Sequence, residues 1–486
     1  MAPQTEVIVT YVNIILYAVS YQLQRPVEPF LVRSLIHNHT SISNNITDNI
    51  EEEQASNRTY GRLTSFFSFI QTIGSPLVGI LLDRIGVRQT SILVYLASAA
   101  SYWILANATS PAWLFWSKVP TILQHAFLVG QATVASYSTA PSSGNSVSEV
   151  QNNDDKTRAV ALGRMTTAYT VGATLGPALG GFLAIEGDYY AGARLAVCGS
   201  IVSVFLSIAC LKDRVNNHHH HEGNKEADKR SGSSQKIHQK SFTKSIHNTF
   251  SYLSHPKLGP LLLIKLLNGV SSSAFTTVLP LLLMNKLHLD TSQLGLFMSA
   301  SSLSVAMFAS VGIAPFMSFV GNRSERLAIL GMSGRIVSVM CFGGIVSWSL
   351  LNLKENLWLA TAVSTVISIS SHMHATSVTT LTTGAVTVNE RGAVLGLEHG
   401  LFSLARVIGP PLGTFLLDSS KLFMSESSSD GIWGVIGACV IMDSILLLLC
   451  LRYWSSNQTT QISSDECIGL TNENATATND DHDHSD

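Results

Sequence analysis

An ionised side chain at the centre of a lipid bilayer carries an insertion penalty of about 2.5–3.5 kcal/mol, so one that persists in an apolar stretch has a use or a partner. This sequence carries several. Lys118 and His125 lie seven residues apart in one apolar run, a spacing that puts both on one face of a continuous helix. Lys265, Asn268 and Ser272 share a face of another run, and His372 and His374 sit in a third. Gln22, Gln24 and Arg25 fall near the end of the first run, Glu398, His399 and Arg406 lie in a later one, and Asp443 stands in the last. Groups of these types bind ions or polar solutes, and a histidine can also carry a proton, because imidazole titrates near neutrality. Each has a plainer reading. Arg25 could lie at the headgroup level, Lys265 could snorkel to the surface, a histidine could hydrogen-bond a neighbouring helix, and Asp443 fits a structural or interfacial role.

Other chemistries find little support. No nucleophile–base set or phosphate-binding loop is present, so an enzyme is not expected. The six cysteines form no CxxC pair, which argues against a disulfide framework or thiolate metal site. A net charge of −2 lacks the basic face that a nucleic-acid partner needs. No cofactor or metal site is expected. The tract His218–His221 could hold zinc with His372 and His374, but the clustered intramembrane carboxylates for such a cargo are missing.

The elements that must position these groups are membrane helices. Of 486 residues, 46% are hydrophobic and 13% charged, against about 25% charged in soluble proteins, and the mean hydropathy is +0.27. Twelve apolar runs are expected: 7–33, 61–82, 88–107, 112–138, 158–184 and 191–211, then 258–285, 290–319, 326–350, 356–383, 392–417 and 432–453. The first is read as a span, since it lacks a basic leader and a small-residue cleavage site. A shift of 233 lays Arg158–Leu183 on Arg391–Leu416 without a gap, pairing Gly176 with Gly409, Pro177 with Pro410 and Gly180 with Gly413. A repeat of half the chain length implies one six-helix bundle made twice. Arg406 aligns with Ala173, so a charge breaks the symmetry of the repeat.

The expected division is a bundle over 1–211, an unstructured connector over 212–257, a second bundle over 258–454 and an unstructured acidic tail over 455–486. Segment 139–156 is also expected to be unstructured. The connector holds nine Lys/Arg, and Asp83–Arg88, Lys156–Arg158, Arg323–Arg326 and Arg391 mark turns on its side, which the positive-inside rule makes cytoplasmic together with both termini. On the opposite side, three glycosylation acceptors fall in 34–60: Asn38, Asn45 and Asn57. They imply a secretory-pathway protein of the plasma membrane or an endolysosomal membrane.

The turn Gly79-Ile-Leu-Leu-Asp83-Arg84-Ile-Gly86-Val-Arg88 and the stretch Gly172-x-x-x-Gly176-Pro177-x-x-Gly180-Gly181 resemble two signatures of the major facilitator superfamily. Within it the chain is most similar to the animal tetracycline-transporter-like and organic-cation-transporter-like drug antiporters, through Leu263–Lys265 and Leu404–Pro410. The resemblance implies an all-α fold of twelve transmembrane helices in two pseudo-repeats, working by alternating access. It makes Gly79, Asp83, Arg84, Gly86 and Arg88 a cytoplasmic latch, and Gly172, Gly176, Pro177, Gly180 and Gly181 the helix-5 antiporter motif. Helices 1, 4, 7 and 10 then line the cavity, which assigns Gln24, Arg25, Lys118, His125, Lys265, Asn268 and His372 to it, with Arg406 added from helix 11. Relatives that exchange drugs against protons often have an acid midway along helix 1, where this chain has Tyr17 and Tyr21, and Glu28 is expected to lie too far out. That leaves Glu398, His399 or His125 to couple protons. A cavity so lined is cationic, which favours an anionic or zwitterionic small molecule as substrate. The rival expectations are a non-transporting receptor or scaffold of the same fold and, behind it, a zinc carrier.

Overall fold

The computed structural model describes residues 3–40, 46–137, 147–212, 252–347, 353–386, 391–423 and 430–477. Helices account for nearly all of them, and no strand occurs among the described residues. The first half comprises α1 (Pro3–Leu23), α2 (Glu28–Thr40), α3 (Ile46–Ala106), α4 (Pro111–Lys118), α5 (Ala126–Tyr137), α6 (Val147–Leu183) and α7 (Ala191–Cys210). The second comprises α8 (Leu258–Lys286), α9 (Thr291–Met307), α10 (Ile313–Phe319), α11 (Ser324–Ser347), α12 (Leu353–Gly384), α13 (Arg391–Phe423) and α14 (Asp430–Ala477). Among the described residues nine segments are long and apolar enough to span a bilayer. Three expected runs fall short for visible reasons. One is broken between α4 and α5 at Pro120, the apolar part of α6 is diluted by glycine and threonine, and α12 is rich in serine and threonine.

Several boundaries differ from expectation. The run expected over 7–33 is interrupted by a turn at Gln24–Val27, where Pro26 has no N–H to donate. The stretch expected as the outer loop 34–60 is largely helical, because α2 reaches Thr40 and α3 begins at Ile46. Its Tyr60 and Asn57 are buried. Two bends are accommodated within long helices: Gly86 turns α3 back at φ 79°, a conformation glycine adopts without strain, and a π-turn at Phe308–Gly312 joins α9 to α10. Helix α6 starts at Val147 and α14 runs to Ala477, so 147–156 and 455–477 are helical rather than unstructured. Neither stretch contains a proline to stop the helix that feeds it. Most of the connector, 213–251 with its His218–His221 tract, lies outside the described residues.

The repeat seen in the sequence is a packing repeat. Gly176 and Gly180 of α6 press on Val19–Leu23 of α1, and Gly409 and Gly413 of α13 press on Ser273–Val278 of α8. Where the first copy has Gly172 against Ala18, the second has Ala405 against Gly269, so the small residue has changed helix while the close approach is kept. A β-carbon on Gly180 would stand 2.0 Å from the Leu23 carbonyl oxygen. Backbone cannot yield there, so Gly180→Ala is expected to lower the melting temperature and the monodisperse yield sharply. Gly344→Ala meets open space and is expected to hold or raise them, by up to about 1 kcal/mol of helix propensity.

The halves meet chiefly through two helix pairs, α3 with α13 and α6 with α9, with a smaller contact of α3 with α8. Arg58 donates to Asp418 at 2.8 Å, Ser65 to the Val407 carbonyl at 2.6 Å, and the Ala178 N–H to Ser299 at 2.9 Å. Asn285 donates to Glu53 at 3.0 Å, and Gly181 abuts the Thr291 backbone. All these contacts lie in the parts of the five helices remote from Asp83–Arg88. At the other end α6 exposes Arg164 and Thr167. The cleft between the halves therefore opens at the Asp83–Arg88 end.

Candidate functional site

At the closed end of the cleft lies a cavity of about 80 Å³ lined by Gln24, Arg25, Glu28, Lys118 and Arg406, with Tyr21, Tyr60, Phe67, Tyr102 and Gln124 among its other walls. Two breaks in helices build it. The Gln24–Val27 turn carries Gln24, Arg25 and Glu28 inward, and the Glu28 N–H donates back to the Gln24 carbonyl at 2.8 Å. Beyond Lys118, Pro120 winds the chain into a tighter turn over Val119–Leu123. Gln71 of α3 donates to the Thr121 carbonyl at 2.7 Å, and Gly74 lets α3 lie against the Ile122 carbonyl.

Within the cavity Lys118 Nζ donates to Glu28 Oε1 at 2.5 Å, with 13% and 16% of the two side chains exposed. The same ammonium stands 5.6 Å from the centre of the Phe67 ring, a cation–π distance, and Phe67 stacks on Tyr21. Arg25 is solvent-exposed although Gln24 and Val27 beside it are buried, so the cavity is reached by water. Gln24 Nε2 is buried with no hydrogen-bond partner. Arg406 enters from α13 and, among the described residues, is the one wall contributed by the second half. Three cations face one carboxylate, a surplus of two positive charges beside aromatic rings and amides. Such a surface is chemically suited to a small anion.

The remaining candidates are distributed elsewhere. Lys265 of α8 donates to Thr379 at 2.5 Å and pairs with Glu398 of α13, which also accepts from Thr382. This cluster lies inside the second half, and Glu398 is 3% exposed. Asn268 accepts from Arg335 at 3.1 Å. Lys118 and His125 do not share a face, because the tight turn between them rotates His125 toward Gly74 of α3. His374 Nδ1 bonds the Ala328 carbonyl at 3.1 Å and ties α12 to α11, and its Nε2 is buried with no hydrogen-bond partner. His372 and His399 do not line the cavity either. Among the described residues no group of three or more His, Cys, Asp or Glu is placed to hold a metal.

Of the latch residues, Arg88 donates to the Ile208 carbonyl at 2.9 Å, satisfying the end of α7. Arg84 is exposed, Gly79 has open space around it, and the Asp83 side chain lies outside the described residues. The helix-5 glycines divide by partner: Gly172, Gly176 and Gly180 face α1, while Pro177 and Gly181 face α9 of the other half. Among the acceptors, Asn38 is exposed and Asn45 is outside the described residues. Asn57 is corrected: it is 0% exposed and donates to Asp418, so it has no room for a glycan.

Two functional groups escape a reading by sequence. Glu28 is set aside when the first helix is drawn straight, although Pro26 signals the bend that brings it in. Arg335, 1% exposed, pairs at 3.1 Å with Asp443, which is 0% exposed. Its signal is an arginine in the middle of the run 326–350, with an aspartate in the run 432–453.

The sequence profile of the Major Facilitator Superfamily matches residues 10–343 and 261–461. Solute carrier family 22 member 18 of Mus musculus is 25% identical over 370 residues, covering 74% of this chain and 81% of that protein. Among solved structures, a bacterial homolog of the human lysosomal transporter Spinster, in an inward-facing and unoccupied conformation, superposes with a TM-score of 0.65 at 14% identity. It covers 94% of this chain and 97% of its own. The human organic anion transporter MFSD10 (TETRAN) does so with a TM-score of 0.54 at 18% identity, covering 93% and 100%.

Proposed function

The chain belongs to the Major Facilitator Superfamily, and on that footing we propose that it is a secondary-active carrier of small organic anions. The halves rock about the cavity, exposing it to one side of the membrane and then the other. The observation that carries the reading is the convergence of Arg25, Lys118 and Arg406 on one water-reached cavity with only Glu28 to balance them. Arg406 matters most to the mechanism, because it brings charge from the second half to a site otherwise built by the first. An anion bound there would link the halves. The positive-inside pattern supports a cytoplasmic side bearing the connector, both termini and Asp83–Arg88, so the open cleft faces the cytoplasm. Asp83, Arg84 and Arg88 would then latch the halves when that side closes.

The test compares two monovalent probes of similar size, p-toluenesulfonate and benzyltrimethylammonium, against purified protein. A ligand at a hundred times its Kd stabilises the folded state by about 2.7 kcal/mol. The sulfonate is expected to raise the melting temperature and the ammonium to leave it unmoved. The reverse order would refute the anion reading. The second reading, exchange of drugs or organic cations against protons, is favoured by one observation: the helix-5 motif packs tightly on α1 and α9 through every one of its glycines.

A further inference from the structure

An anion arriving at Lys118 would have to share its ammonium with Glu28, which already holds it at 2.5 Å. The anion and the Glu28 carboxylate would compete for one cation, and the loser would face a like charge across a cavity of about 80 Å³. Protonation removes the conflict. Resting on the anion-carrier reading above, we propose that Glu28 accepts a proton as the anion binds, so that proton and anion travel together rather than in exchange.

The step balances simply. A proton from cavity water adds to a Glu28 carboxylate oxygen, the carboxylate becomes a carboxylic acid, Lys118 stays an ammonium, and the incoming anion takes the place of Glu28 beside it. The empty cavity holds Arg25, Lys118 and Arg406 against Glu28, two positive charges in surplus. With one proton and one monoanion bound, the surplus is still two. A carrier whose loaded and empty sites carry equal charge meets no added electrostatic barrier in either form. Exchange lacks this property here, since a proton leaving as a monoanion enters would lower the site charge by two.

The groups that face Glu28 suit the role. Lys118 approaches from α4, Tyr60 from α3 stands within electrostatic reach of both Glu28 and Arg25, and Tyr21 of α1 and Arg406 of α13 complete the surround. Among the described residues that line the cavity Glu28 is the one carboxylate, which makes it the proton acceptor there. Glu398 is bonded to Lys265 and Thr382 in the second half and does not line the cavity.

The test is calorimetry of p-toluenesulfonate binding to the full-length protein in nanodiscs, in buffers of different ionisation enthalpy, from about pH 5 to about pH 9. The probe is a strong acid, so any proton counted comes from the protein. The wild type is expected to take up protons as the sulfonate binds over part of this range, and its affinity to fall with rising pH there by up to about tenfold per pH unit. Glu28→Gln is expected to bind with no proton uptake, to vary less than about twofold in affinity over the same range, and to bind more tightly than the wild type at the alkaline end, where Lys118 has been freed. Proton release by the wild type would overturn the proposal in favour of exchange, even if the variant failed to fold. Undiminished uptake by the variant would overturn the role of Glu28. No sulfonate binding by either protein at any pH would refute the anion reading itself, a distinguishable failure.

Discussion

Replacing Arg335 by methionine is expected to destabilise the protein by about 3–5 kcal/mol, the range for breaking one partner out of a buried ion pair. The loss arises because Asp443, 0% exposed, would keep a single donor, the Ser271 hydroxyl at 2.7 Å. Arg335 also donates to Ser271 at 3.0 Å and to Asn268 at 3.1 Å, so one guanidinium fastens α11 to both α8 and α14. Asp443→Leu alone should be as damaging, since it strands the cation instead. The double variant, Arg335→Met with Asp443→Leu, is expected to recover most of the loss, because an apolar pair of similar volume avoids the desolvation that the ions suffer. Melting temperatures of the four proteins in one detergent decide the matter. Single variants that melt with the wild type would mean that the ion pair does not hold the second half together.

The second large effect falls on binding. Lys118→Gln is expected to weaken p-toluenesulfonate binding about ten- to hundredfold, since a hydrogen bond to a charged group contributes about 1.5–3 kcal/mol and about 1.4 kcal/mol is a factor of ten. Part of that loss comes from Glu28, which would then face the anion without its partner. Adding Glu28→Gln to Lys118→Gln should therefore restore some affinity, a non-additivity expected of groups in contact. Arg406→Gln is expected to weaken binding less, because Arg406 is only partly buried and water screens it. Isothermal calorimetry on the four proteins reads all of these. Equal affinity in wild type and Lys118→Gln would remove the ammonium from the site.

The large-scale fold was legible because its signals are local and periodic. The 233-residue shift is a property of the chain alone, and the glycines it aligns make equivalent contacts, Gly176 and Gly180 against α1 and Gly409 and Gly413 against α8. Arg406 could be singled out for the same reason, as a charge where the first copy has Ala173. What could not be read was how the helices are interrupted. Heptad spacing put Lys118 and His125 together only if the helix stayed α-helical, and Pro120 winds five residues into a tighter turn between them. Drawing the first run straight to residue 33 carried Glu28 out of the cavity, whereas the turn at Gln24–Val27 bends it in. The pairing of Lys265 with Glu398 and of Arg335 with Asp443 joins residues 133 and 108 positions apart, a matter of tertiary packing on which spacing is silent. Asn57 bears a glycosylation signature, yet a long-range bond to Asp418 buries it.

The central claim is that an organic anion crosses the membrane through this cavity by alternate exposure to its two sides. Counterflow tests it directly. Proteoliposomes loaded with unlabelled p-toluenesulfonate and diluted into a trace of the labelled compound should accumulate label transiently above equilibrium, because each return of an occupied carrier brings label inward. The account predicts that overshoot for the wild type and its loss in Lys118→Gln. Label that rises only to equilibrium would describe a passive pore, and no entry above protein-free vesicles would describe a protein that keeps the fold without carrying the anion. Either result contradicts the account.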